Sequence, residues 1–271
     1  NVIAVTASDI AGNTSSTISS NLVIDAIAPI APIAPALLAS SNTGSSADLI
    51  TYDTTPTVQV TLNATAGAGA GHVAGDTVKV LVGGIVNQTQ VVTSADITAG
   101  YVNVTMPSQT DGALAITAQL VDAIGNTSVA SATALTITLD STAPSLIITD
   151  TTSNAITDGS DVTFTFTFDE VVEGFTTSEI TISGGVKGAF AGSGAVYTLV
   201  VTPDDGQSSG SIDVSVNGSS ATGVTNVAGL NMAATIYTHS QAYDTLGPAV
   251  SSVSLLTNNS APTISGTAEA D

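Results

Sequence analysis

The chain has 271 residues, of which 22 are Asp or Glu and only 2 are Lys or Arg, for a formal net charge of -20. Binding nucleic acid or anionic lipid needs clustered cations, so both are excluded as partners. There is no cysteine, which excludes disulfides and thiolate zinc sites.

Hydrophobic residues still make up 43% of the chain. They are mostly Val, Ile, Leu and Ala interleaved with Thr and Ser, a mixture that suits short strands. The chain opens in a strand-like stretch with no basic leader, which reads as a segment of a longer protein. The most apolar stretch, Ala26 to Ala39, is interrupted by Pro29, Pro32 and Pro35 and is too short to span a bilayer. Direct membrane insertion is therefore not expected. Alternating apolar residues then predict strands at Val58/Val60/Leu62, Val78/Val80/Val82, Val102/Val104/Met106, Leu114/Ile116/Ala118/Leu120 and Leu135/Ile137/Leu139. A second run follows at Val162/Phe164/Phe166/Phe168, Ile180/Ile182, Leu199/Val201 and Ile212/Val214/Val216. Turn pairs separate them, among them Gly83-Gly84, Asp111-Gly112, Gly184-Gly185 and Asp205-Gly206. No capped helix with a 3.6-residue period stands out. The expected fold class is all-β, built from antiparallel sandwiches.

Three internal repeats organise the chain. Asp-x-x-Ala/Gly-Pro occurs at Asp25–Pro29, Asp140–Pro144 and Asp244–Pro248. Upstream of each lies a turn: Asp9-Ile10-Ala11-Gly12-Asn13-Thr14, Asp122-Ala123-Ile124-Gly125-Asn126-Thr127, and the degenerate Asn226-Val227-Ala228-Gly229-Leu230-Asn231. Asp53-Thr54-Thr55-Pro56-Thr57 recurs loosely as Asn259-Ser260-Ala261-Pro262-Thr263. The expected parse places the closing strands of one domain at 1–29 and two whole domains at 30–143 and 144–247. Residues 248–271 then hold the first strands of a further domain.

These motifs resemble the bacterial immunoglobulin-like repeats of giant RTX and biofilm-associated surface adhesins. Residues 144–247 look like one subtype, through FTFDEVVEGFTTSEITISGG, YTLVVTPDDG and NVAGLN. The preceding domain and the last residues look like another, through TPTVQVTL and APTISGTAEA. Two departures stand out: Asn226 replaces the usual Asp, and Leu230 reads as an insertion before Asn231. The resemblance implies tandem immunoglobulin-like sandwiches in an end-to-end array, stabilised by Ca²⁺ and acting as a stalk.

Residue chemistry points the same way. In such a sandwich the Asp-x-x-Gly-Asn turn lies at the end where the chain arrives, so it faces the preceding linker acid. Asp25 is then expected near Asp122 and Asp76, Asp140 near Asn226, Glu170 and Glu173, and Asp244 near Glu269. Lys79 and Lys187 are too few to neutralise them. Ca²⁺ takes 6–8 oxygen ligands and would relieve the repulsion. Taken singly, each of these acids is explained as a turn former.

Enzyme constellations fail. His72 and His239 read as exposed loop or strand-end residues, Asp204-Asp205 as a turn, and Gly67, Gly69, Gly71 and Gly75 lack the Lys and helix of a phosphate loop. The reading is a non-enzymatic extender of a large secreted bacterial adhesin, located outside the cell, whose partners are neighbouring immunoglobulin-like domains. The alternative is a filament or surface-layer subunit with lateral self-association. A carbohydrate-binding module array ranks lower, because the chain has no Trp platform.

Overall fold

Val162, Phe164, Phe166 and Phe168 are buried while the intervening threonines face away, so the alternation in sequence becomes one inward strand face. The same holds for Val58/Val60, Val102/Val104, Ile116/Ala118/Leu120 and Ile212/Val214/Val216. The structure is a computed structural model and describes residues 2–21, 24–63, 71–152, 155–157, 160–218 and 223–247. It is nearly all-β and divides into two compact units, Asn1–Asp140 and Ser141–Asp271.

In the first unit, strands β1 (Val2–Val5) and β2 (Ile18–Asn21) pair antiparallel, with every residue exposed. Beyond them come β3 (Ala36–Leu37), β4 (Ile50–Thr51), β5 (Thr57–Thr61), β6 (Thr77–Val82), β7 (Ile85–Val91), β8 (Tyr101–Thr105), β9 (Gly112–Val121) and β10 (Leu135–Leu139). Two sheets form, in orders β3-β5-β8 and β4-β10-β9-β6-β7. All neighbours are antiparallel except β4 and β10, which run parallel. Val58, Val60, Val102 and Val104 from one sheet share a core with Val78, Val80, Ile116, Leu120 and Ile137 from the other.

The second unit contains β11 (Leu146–Asp150), β12 (Val162–Phe168), β13 (Val172–Glu173), β14 (Ile180–Ser183), β15 (Gly185–Ser193), β16 (Val196–Pro203), β17 (Gly210–Asn217), β18 (Thr225–Asn226) and β19 (Ile236–Tyr243). The sheets run β11-β12-β16-β15 and β14-β17-β19, with β13 and β18 as a separate pair. Phe164, Phe166 and Leu199 meet Ile180, Ile212 and Val214 in its core.

Three expectations are corrected. A helix does occur, α1 (Ser94–Ala99), closed by a capping box between Thr93 and Asp96 and by left-handed Gly100. His72 is buried at 1% exposure rather than lying on a loop surface. His239 sits inside β19, not beyond a strand end.

Candidate functional site

The repeated turn is built by side-chain oxygens. Asp122 Oδ1 accepts the backbone N–H groups of Ile124, Gly125 and Asn126 at 3.0, 2.7 and 2.8 Å, and Oδ2 accepts Asn126 Nδ2 at 2.7 Å. Desolvation works against ionisation here. The bonds from Asn126, Gly125 and Ile124 outweigh it and hold the carboxyl below its ordinary value. Asp9 repeats the arrangement, accepting Asn13 N at 2.9 Å and Asn13 Nδ2 at 2.8 Å. Even the following serine is shared. Leu120 N donates to Ser128 Oγ and Ala7 N donates to Ser15 Oγ, both at 2.9 Å.

The third copy has the same length. Thr225 bridges Asn231 as Val121 bridges Thr127 and Ser8 bridges Thr14. Leu230 is therefore a replacement at the position of Asn126, not an insertion. Asn226 compensates with both ends of its amide. Its Oδ1 accepts Leu230 N at 2.9 Å, and its Nδ2 donates to Thr142 O at 3.1 Å. In the first unit, Asn126 Nδ2 reaches Asp25 O at 3.2 Å. In both units an asparagine amide thus holds the incoming chain against the turn.

The linker acids also share a local role. Ile27 N donates to Asp25 Oδ1 and Leu246 N donates to Asp244 Oδ1, both at 3.0 Å. Asp140 N and Asp244 N bond to Thr51 O and Ile156 O, closing the last described strand of each unit onto a parallel partner. Among the candidate ligands, Asp25 comes together with the Asp122 turn through Asn126, and Glu173 lies beside Asn226 because β13 pairs with β18. Glu170 precedes β13. Asp76 is buried at 1% exposure: Oδ2 accepts Val73 N at 2.9 Å, and Oδ1 has no hydrogen-bond partner among the described residues. Glu269 lies outside the described residues. Among those described, no three His, Cys, Asp or Glu side chains gather closely enough to hold a metal by themselves.

A histidine–carboxylate contact lies elsewhere. His239 Nε2 lies 2.6 Å from Asp150 Oδ2, and the imidazole edge meets Phe164 at 6.0 Å between ring centres. The pair ties β19 to β11, strands of opposite sheets. Burial alone would raise the Asp150 carboxyl. Bonds from His239 and Thr152 outweigh it and hold Asp150 below its ordinary value of 3.8. A carboxyl depressed by folding contributes stability above its unfolded value and loses it as pH falls. We expect unfolding in acid, monitored by circular dichroism, to begin as pH drops below about 4, near the unfolded Asp value. Asp150→Asn should flatten that acid limb and cost about 1–3 kcal/mol at neutral pH. An unchanged acid limb would contradict this assignment.

Lys187 is equally structural, its Nζ donating to Thr177 O at 2.7 Å and to Ile180 O. Sequence reasoning passed over Asn126 and Asn226 as clamps and the Ile-Ala-Pro triplets at 27–35 as a docked segment. The Asn that follows Gly in two of the turns, and the exact three-residue proline spacing, were the available signals.

Residues 140–243 match the family model described as a bacterial Ig-like domain. No curated protein sequence matches the chain. Among solved structures, the chain is similar to the fibronectin(III)-like modules of Clostridium thermocellum CbhA, at 12% identity over 78% of this chain and 94% of that one, with a TM-score of 0.32. The titin domains z1z2 in complex with telethonin give 14% identity over 79% and 95%, with a TM-score of 0.25. The D00-D0 domain of intimin gives 13% over 84% and 89%, with a TM-score of 0.22.

Proposed function

We propose that this chain is a non-enzymatic extender from a large bacterial surface adhesin, whose sandwiches hold a distal binding domain away from the cell. One observation carries the reading. The same closing turn, with the same Asp or Asn bonds, ends both units and recurs between β1 and β2. A turn rebuilt this faithfully is the mark of a chain made by repetition, in which each copy does the same spacing work. The bacterial Ig-like match over 140–243 supports it, as does the typically non-catalytic character of such folds. An extracellular setting agrees with that family and with the absence of cysteine. Among the described residues no helix is long and apolar enough to cross a membrane.

Calcium stiffening belongs to the same proposal, with a reduced set of ligands. Asp122 spends both carboxylate oxygens on the turn and Asn226 spends both ends of its amide on the turn and the linker, whereas Asp25 and Asp244 each accept one backbone N–H on Oδ1 alone. Asp76 Oδ1, buried and without a hydrogen-bond partner among the described residues, fits a cation best, because an orphaned carboxylate oxygen is costly to bury. Asp76 and the linker acids Asp25, Asp140 and Asp244 are the residues that would hold calcium. Bound there, it would supply positive charge that this chain lacks. Sites in extracellular modules fill at roughly 10⁻⁴ to 10⁻³ M.

Small-angle scattering with millimolar calcium or chelator tests the idea. The expected result is a stiffer particle with calcium and a looser one after Asp140→Ala, with each sandwich still folded. Unchanged scattering together with no heat of calcium binding would remove calcium from the proposal. Imaging that showed a regular polymer instead of single rods would replace the extender by a filament subunit.

A further inference from the structure

Residues 25–35 run along the first unit outside every strand and helix. Ile-Ala-Pro occurs three times in succession, at 27–29, 30–32 and 33–35. Pro29, Pro32 and Pro35 are buried, whereas Ile27 and Ile33 are exposed. A burial period of three residues is that of a polyproline II helix. The choice of proline has a physical reason. A segment buried outside a ladder leaves backbone N–H groups without partners, and proline has none to leave.

Two side chains pin this segment. His72 Nε2 donates to Ile30 O at 3.0 Å. The tautomer is set by Nδ1, which accepts Asn63 N at 2.8 Å. Asn126 Nδ2 donates to Asp25 O at 3.2 Å. Regular pairing begins only afterwards, where Ala36–Leu37 joins β5. An open cleft of about 180 Å³ is lined by Ile30–Ile33 on one side and by Thr61, Leu62, Asn63 and His72 on the other. Cleft lining carries no charged side chain.

We propose that residues 25–35 are a detachable strap that lifts from the groove while the sandwich stays folded, with His72 and Asn126 as its two pins. Two side-chain pins in place of a strand ladder, and the exposed side chains of Ala26, Ile27, Ala28 and Ile33, put it at the low-stability end of the molecule, where local opening precedes global unfolding. Within the extender reading, and resting on it, release under tension would add only a few Å of length, because 11 residues of polyproline II already span about 34 Å against about 36–40 Å fully extended, and its main effect would be to free the direction in which the chain leaves the sandwich. The strap itself does not depend on that reading.

Thiol labelling tests it, because the chain has no cysteine of its own. Pro32→Cys reports the strap, and Val104→Cys, 1% exposed, reports the core. In the full chain at rising urea below the unfolding transition, Pro32→Cys should label at least ~10-fold faster than Val104→Cys and with little urea dependence. His72→Gln and Asn126→Ala should each raise the Pro32→Cys rate several-fold and leave Val104→Cys unchanged. If Pro32→Cys itself misfolds, Pro35→Cys is the second probe. Rates and urea dependence that track Val104→Cys would show the strap to be integral, and labelling at the rate of a free thiol would show that it is never seated. Either result overturns the proposal. Scattering of the calcium-loaded chain reads the extender proposal separately.

Discussion

Truncating Phe175 to alanine is expected to destabilise the second unit by about 3–5 kcal/mol, the range for a buried phenylalanine. Phe175 is 4% exposed and its ring meets four others. Phe168 and Tyr197 lie 5.0 and 5.1 Å away edge-on, Phe166 is at 5.4 Å, and Phe190 is at 5.9 Å. Edge-to-face pairs add roughly 0.5–1.5 kcal/mol each beyond area burial, so the loss falls at the upper part of that range. A domain of this size is stable by only about 5–15 kcal/mol, so much of the margin goes. Urea unfolding followed by tyrosine fluorescence measures it, since the chain has no Trp to mask Tyr197. A shift in midpoint equivalent to less than about 1 kcal/mol would mean that the aromatic cluster collapses around the cavity without loss.

Phe175 also marks where sequence periodicity stops. It lies between β13 and β14, in a segment with no alternation, yet it is the hub of the aromatic core. Alternation predicts which side of a strand is inward and says nothing about a loop residue folded over the sheet's end. The strand faces themselves were legible, because a period of two leaves little choice once one face is buried. Helix α1 escaped for the opposite reason. Its six residues are too few to show a 3.6-residue period, although Thr93, Asp96 and Gly100 carry complete capping signals. The two histidines were misplaced because a lone His has no pattern at all. Their placement follows from bonds outside any local pattern, His72 to Asn63 and Ile30 and His239 to Asp150. The turn motif was read as an acidic site, whereas the asparagine amides proved to be its reaching part. Composition had drawn attention to charge, and an amide is silent in a charge count.

Gly184→Ala is expected to cost at least about 3 kcal/mol or to prevent the second unit from folding, through two penalties that add. Gly184 has φ +77°, a conformation that costs a residue with a Cβ roughly 1–2 kcal/mol. It also sits where the chain passes from β14 in one sheet to β15 in the other, and there is no room at that corner. A Cβ there would lie 2.0 Å from Ser211 O and 2.9 Å from Ser211 C, both backbone atoms. Relief requires moving the start of β17, and Ile212, the next residue, is 0% exposed in the core. Such a shift would also disturb the clamp that Lys187 makes on the carbonyls of Thr177 and Ile180, just before and within β14. Gly206→Ala separates the two penalties. Gly206 has φ +72° but nothing within 4 Å of its Cβ position, so only the backbone cost of about 1 kcal/mol remains. Chemical denaturation of the two variants side by side makes the comparison. Equal, small losses would mean that the corner relaxes freely. A loss at Gly184 several-fold larger than at Gly206 would show that the close backbone approach between β14, β15 and β17 sets how the two sheets meet.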